Sequence, residues 1–351
     1  MNCYGCYNIM NFELHINGRI DTGENSIAVC CERLPKGLQK PSISLEGFAE
    51  EILDNFLDKR NSVVEYLKSG DVNSKGLREN QLSGCETCNY FKKDNWDVKS
   101  LIEFINLSMY PAPCQGRCIY CDVDKKWEDT PRVKQAYEKM FDVIELADKK
   151  GLISHDAEWQ ISSGEITIHP YRDRILNLVK NRKAVFYTNA FFYDEGIARN
   201  LSNNRESRIN FSIDAGTPQT WEKVKKFDNF KEVCDNLASY RKAAIAEDQI
   251  QLKYIVLPGV NDSDEDFEGL IEIMKRLDVH YLIIARDSAV KYNDDKKENL
   301  KVLKSAARLS WLCLENDISI GLFPYSSKDR KKIQNIIRKN RTVNIFKRKK
   351  R

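Results

Sequence analysis

The chemistry of this chain concentrates in one stretch, Pro113-Cys114-Gln115-Gly116-Arg117-Cys118-Ile119-Tyr120-Cys121. Its three cysteines, spaced Cys-x-x-x-Cys-x-x-Cys, follow a strand-like run from Leu101 to Leu107. A disulfide framework wants an even set, and a tetrahedral zinc site wants a fourth ligand close by. Three thiolates on one short loop suit a [4Fe–4S] cluster with one iron left open, and an open coordination position is what makes a metal site reactive. A zinc loop is the alternative that the spacing leaves standing.

The elements that must hold this loop can be read from periodicity. Pro131 to Lys150 is amphipathic, with Val133, Tyr137, Met140, Phe141 and Ile144 at helical spacing and Gly151 as a stop. Ala157 to Ser162 reads as a strand running into Ser163-Gly164-Glu165. A helix near Tyr171 to Asn181 and strands at Ala184–Asn189 and Arg208–Asp214 follow. Further strands are expected at Gln251–Leu257 and His280–Ala285. Helices carrying Cys234, Met274 and Cys313 separate or follow them, and both cysteines lie on apolar stripes, where a thiol packs as a small hydrophobe. Six strand–helix repeats imply an α/β protein with a partial (β/α)6 barrel, its site at the C-terminal strand ends.

The chain has 351 residues and a net charge of +4, with ample apolar content for a large core and a smaller module. No run approaches the roughly 18 apolar residues of a membrane span, and no secretory leader is evident, so a soluble cytoplasmic protein is expected. In that setting eleven cysteines argue for metal or redox use rather than disulfides.

Six of the cysteines lie in the first 95 residues: Cys3 and Cys6, Cys30 and Cys31, Cys85 and Cys88. Between them, Phe12 to Ile20 alternates apolar and polar residues and contains Asn17-Gly18, a hairpin signal, with a second strand expected at Ile27–Cys30. A helix is expected from Glu46 to about Lys68, with Phe48, Ile52, Phe56 and Val63 on one face. This predicts a small cysteine-rich α+β metal-binding module over 1–95, the core over 96–327 and a basic tail over 328–351. Two Cys-x-x-Cys pairs brought together would equally build a four-cysteine zinc knuckle.

The cysteine loop, the aromatic Tyr120 before its last cysteine, Ser163-Gly164-Glu165 and Ser212-Ile213-Asp214 together resemble the radical S-adenosylmethionine (radical SAM) superfamily. The resemblance implies that Cys114, Cys118 and Cys121 bind the catalytic cluster, whose open iron takes the amino and carboxylate groups of SAM. It places Tyr120 against the adenine, and Ser163, Gly164 and Glu165 at the SAM ammonium. Ser212 and Asp214 would meet ribose and carboxylate. Asn189, at the end of its strand, and the cations Lys253 and Arg286 near the mouth join the expected cofactor contacts. His169 reads as a helix-start residue, and Asn261 as a polar loop position without an assigned role. The N-terminal cysteines resemble a SPASM or twitch extension, which implies a second [4Fe–4S] cluster on Cys6, Cys30, Cys85 and Cys88. Cys3 or Cys31 are substitutes, and zinc is the alternative metal.

The resemblance implies an oxidoreductase-like enzyme fed electrons by a flavodoxin or ferredoxin. Such extensions mostly accompany oxidative modification of a peptide or protein. Dehydrogenation or epimerisation of a carbohydrate-like or other small metabolite is the alternative, and a zinc-stabilised binding protein on a degenerate barrel is the non-enzymatic rival. From Lys328 to Arg351, around a helix-like piece from Ile333 to Ile337, twelve Lys/Arg face one Asp, a local balance of +11. A solvated tail is the simplest reading, a foothold on an acidic peptide or peripheral anionic surface the functional one. Nucleic acid is the weaker option, since no aromatic interleaving accompanies the charge.

Overall fold

The computed structural model describes residues 9–11, 13–15, 26–28, 42–58, 101–110, 112–121, 130–162, 164–287 and 296–348. The six N-terminal cysteines, Val63 and Ser163 lie outside the described residues, and so does the metal site that the cysteines were expected to build. The described residues fall into two compact units, with chain boundaries at 114/115, 122/123 and 186/187. Among the described residues no helix is long and apolar enough to cross a membrane.

In the first unit, strand β5 (Ile102–Tyr110) is central. On one side it pairs in parallel with β6 (Ile153–Ser162). On the other it pairs with β1 (Ile9–Asn11) along residues 104–106 and with β2 (Glu13–His15) at residues 109 and 110, both parallel. Strand β2 forms the expected antiparallel pair with β3 (Ser26–Ala28), and β3 pairs with β4 (Ser42–Ser44), which the sequence had not suggested. The first half of β7 (Ala184–Thr188) pairs with β6. Alternation drives β6: Ala157, Trp159 and Ile161 are buried, while Glu158 and Gln160 between them are not.

Three α-helices of this unit are described. Helix α1 covers 49–58, buries Ile52, Leu53 and Phe56, and leaves Phe48, expected on its apolar face, 74% exposed. Helix α2 (Pro131–Lys149) starts as its sequence dictates. Thr130 caps it by accepting from Val133 N at 3.3 Å, and Pro131 supplies no amide where none is needed. Its buried stripe includes Tyr137, Met140, Phe141 and Ile144, each such side chain contributing about 1.5–3 kcal/mol. On helix α3 (Arg172–Val179), Arg174 reaches Glu138, Asp142 at 2.6 Å and Glu145 at 2.7 Å on α2.

His169, just ahead of α3, is a structural residue, as its position suggests. It is 3% exposed, and its Nδ1 accepts from Tyr171 N at 3.2 Å. Burial lowers its pKa from 6.5 to about 4. The folded pKa lies below the unfolded one, so the unfolded chain binds the extra proton. The contribution is complete above pH 6.5 and is lost as pH falls toward 4. The shift corresponds to about 3 kcal/mol in all, of which about 2 kcal/mol should disappear between pH 7 and pH 5. Urea denaturation at the two pH values should show this difference in the wild type and much less of it in His169→Gln. An equal slope in both proteins would refute the assignment.

The second unit contains a parallel ladder of β8 (Arg208–Ser212), β9 (Ile250–Val256), β10 (Tyr281–Arg286) and β11 (Ser319–Leu322). Its helices are α4 (Glu195–Asn203), α5 (Pro218–Lys225), α6 (Phe230–Ala243), α7 (Asp264–Arg276), α8 (Lys296–Glu315) and α9 (Ser327–Arg348). All six predicted barrel strands are present; β11 is an additional one. Cys234 on α6 and Cys313 on α8 are buried at 6% and 0% exposure, on the apolar faces the periodicity gave them. Residues expected as a solvated tail are helical through Arg348. The buried Ile333, flanked by exposed Lys332 and Gln334, shows that α9 docks one face, with Lys328, Arg330, Lys331 and Lys332 exposed.

Candidate active site

The start of the cysteine loop is set within the first unit. Glu165 N donates to Pro113 O at 2.8 Å, joining the end of β6 to the residue before Cys114. Gly164 sits between them with φ +66°, and a Cβ there would lie 2.6 Å from both Pro113 O and the Ala112 Cβ. Only glycine fits this left-handed, crowded position. Glu165 is 1% exposed, and its Oε1 accepts from Thr167 N at 3.2 Å and Thr167 Oγ1 at 3.1 Å, capping the short turn Ile166–Ile168. The carboxylate expected at the SAM ammonium is thus fixed in place by its own turn.

From Gln115 onward the loop belongs to the second unit. A helix leaves its last carbonyls without partners, and here the loop supplies them. Ile119 N donates to Val224 O at 3.0 Å and Arg117 N to Lys225 O at 3.3 Å, both at the end of α5. Cys121 N donates to Cys118 O at 3.0 Å, closing a turn that carries both thiols. Gln115 Nε2 donates to Asn189 Oδ1 at 3.3 Å, and the same oxygen accepts from Phe191 N at 3.0 Å. Asn189 therefore contacts the cysteine loop itself.

Beneath the turn lies a buried polar cluster. Tyr120 donates its hydroxyl to Asp214 Oδ2, and Lys225 Nζ lies 2.5 Å from that oxygen and 2.8 Å from the Tyr120 hydroxyl. Lys225 and Asp214 have side-chain exposures of 1% and 0%. The other Asp214 oxygen accepts from Ile255 N at 2.6 Å, which sustains the backbone of Asp214 at φ +51°. Asn261 closes the arrangement: its Nδ2 donates to Asp214 O at 2.9 Å and Ile255 O at 2.8 Å, and its Oδ1 accepts from Leu257 N at 2.7 Å. Asp214, expected at the ribose or carboxylate of SAM, instead spends its side chain inside the fold. Burial drives the Tyr120 pKa well above 10, helped by Asp214, so the hydroxyl stays protonated and donates. Burial also pushes the Cys118 thiol up, with Lys225 pulling the other way.

Ser212 ends β8 and is paired in register with Lys253 of β9, so the two side chains share a face of the sheet. Burial lowers the Lys253 pKa, against the pull of Asp214. Arg286, at the end of β10, lies 3.5 Å from Asp329 and stacks 5.5 Å from the Tyr325 ring centroid, which ties it to the start of α9. Lys225 and Gln115 went unnoticed in the sequence. The available signal for Lys225 was its place four residues after Trp221, on the buried face of α5.

No three His, Cys, Asp or Glu side chains among the described residues converge on a single metal ion. Cys114, Cys118 and Cys121 are of intermediate exposure and in no disulfide. Three soft sulfur donors fit an iron–sulfur cluster with one iron not ligated by protein.

Residues 113–273 match the Radical SAM superfamily and constitute a radical SAM enzymatic domain. The GTP 3′,8-cyclase of Nautilia profundicola is 24% identical over 169 residues, 46% of this chain and 50% of that one. That of Desulforamulus reducens is 25% identical over 192 residues, 52% and 55% of the two chains. The chain thus spans about half the length of these curated relatives. Among solved structures, Streptococcus suis SuiB bound to S-adenosylmethionine aligns with a TM-score of 0.46 at 13% identity, covering 83% of this chain and 72% of that one. Native anSMEcpe with AdoMet and Cp18Cys peptide aligns with a TM-score of 0.41 at 18% identity, covering 62% of each.

Proposed function

We propose that this chain is a radical SAM enzyme that abstracts a hydrogen atom from a peptide or protein and modifies it oxidatively. The observation that carries the reading is the Cys118–Cys121 turn, pinned to the end of α5 beside the buried Lys225–Asp214 pair. Cys114, Cys118 and Cys121 would hold the catalytic [4Fe–4S] cluster. When bound and reduced, the cluster supplies the electron that breaks the C5′–S bond of SAM, giving methionine and the 5′-deoxyadenosyl radical that takes the substrate hydrogen.

The residues of the chain orient and exclude. Tyr120 would lay its ring against the adenine, since its hydroxyl is tied inward. Ser212 and Lys253, side by side on β8 and β9, would meet the ribose and carboxylate, and Glu165 the ammonium, a charge-assisted contact. Asn189 acts through Gln115 on the loop, and Asp214 through Tyr120. Arg286, engaged by Asp329, holds α9 rather than a ligand. Fixing cofactor and substrate in one attack geometry while keeping water out is the protein's share of the work.

The substrate class rests on the resemblance of the N-terminal cysteines to a SPASM or twitch extension. We assign Cys6, Cys30, Cys85 and Cys88, with Cys3 or Cys31 as substitutes, to a second [4Fe–4S] cluster, with zinc as the alternative. An oxidative outcome follows from that assignment, and a flavodoxin or ferredoxin is the proposed electron donor. The test is anaerobic reconstitution, reduction with dithionite and measurement of 5′-deoxyadenosine with a pool of uniformly deuterated peptides or with deuterated GTP. Peptides should raise 5′-deoxyadenosine above the substrate-free background and transfer deuterium into it. Stimulation by GTP alone would replace the substrate class. No 5′-deoxyadenosine under any condition would sink the enzymatic reading.

A further inference from the structure

Among the described residues, Lys225 is a buried side chain beside the cysteine turn that none of the roles above requires. It holds the loop twice. Its carbonyl accepts from Arg117 N at 3.3 Å, and its ammonium contacts both the Tyr120 hydroxyl and Asp214. Tyr120, two residues beyond Cys118 in the chain, in turn donates its hydroxyl to Asp214. The Lys225 ammonium also lies 5.5 Å from the Trp221 ring centroid and 5.3 Å from that of Tyr120, within cation–π range of both. Burying a lysine is costly, and a buried ion pair is commonly replaceable by apolar side chains without loss of stability. Stability therefore does not explain its presence. Its placement does: one positive and one negative charge stand in direct contact with the residue between two of the three cysteines.

We propose that Lys225 is a positioning residue: with Asp214 it clamps Tyr120 and the Cys118–Cys121 turn, and it neutralises the Asp214 charge beside the cluster. The inference rests on the proposed function for what the turn binds, but not for the clamp itself. Removing either partner uncovers the other charge. An uncovered carboxylate disfavours adding an electron nearby, and an uncovered ammonium favours it.

The experiment uses the full chain with Lys225→Met, Asp214→Asn, the double variant and Lys225→Arg. After anaerobic reconstitution, the midpoint potential of the cluster should fall in Lys225→Met, rise in Asp214→Asn and return toward wild type in the double variant. Lys225→Arg should stay near wild type. A merely structural role would move both single variants in the same direction, and that result would overturn the charge balance. In the apo chain, hydrogen exchange at the Ile119 and Cys121 amides should quicken several-fold in the double variant and less in Lys225→Arg. Unchanged exchange would overturn the clamp. Should the single variants fail to fold, the double variant and Lys225→Arg still decide between clamp and no clamp. A wild type that takes up no iron would sink the functional reading, while the exchange measurement would still judge Lys225.

Discussion

Replacing Cys114, Cys118 and Cys121 together with alanine should lower the iron of the reconstituted protein from about eight to about four per chain, as one of two [4Fe–4S] clusters is lost. Formation of 5′-deoxyadenosine should fall to the assay background, because among the described residues no other three cysteines lie on one loop. The fold should tolerate the change: all three side chains are only partly buried, and the hydrogen bonds that anchor the turn come from backbone amides. Iron and sulfide analysis with circular dichroism on the same samples checks all three points. Four irons falling to none, with zinc present, would leave the radical reaction standing and turn the N-terminal site into a structural zinc. No iron in either protein would remove the radical reading.

Gly164→Ala should damage the same loop without touching a ligand. The left-handed backbone costs an L-residue about 1–2 kcal/mol, and the clash with Ala112 and the Pro113 carbonyl adds to it, for a total of about 2–4 kcal/mol. The relaxation that relieves the clash pushes Pro113 O away from Glu165 N, and Cys114 follows directly in the chain. Iron uptake and SAM affinity should therefore fall along with the melting temperature. Gly151→Ala is the matched control, with φ +69° but nothing within 4 Å of the new Cβ. It should lose about 1 kcal/mol and keep full iron uptake. Equal effects of the two substitutions would show that the crowding at Gly164 is irrelevant.

Much of the core was legible because its periods are unambiguous. Ala157, Trp159 and Ile161 alternate as a half-buried strand must, and the α2 stripe recurs at helical spacing. Strand β11 was not legible. Ser319-Ile320-Gly321-Leu322 is four residues long with a glycine inside, and only the waiting edge of β10 makes it a strand. Helix α9 was legible only as a helix-like piece from Ile333 to Ile337, because the charged residues on either side of it read as a solvated tail. Within the site, the cysteines announced themselves by spacing alone. The polar cluster did not: Lys223-Val224-Lys225-Lys226 looks like the solvated end of a helix, and lysine is almost never fully interior. Arg286 was legible as a cation at a strand end, but its contact with Asp329, on a helix far along the chain, was not.

The pairing of β1 and β2 with β5 has a bearing on how the chain can be cut. A fragment beginning near residue 100, which keeps the whole of residues 113–273, would strip β5 of β1 and β2 together. Its amides and carbonyls from residue 104 to residue 110 would then form an open template just ahead of the cysteine loop. Such a piece should self-associate through that edge, so the isolated domain would be a sticky one even with every cysteine of the loop intact.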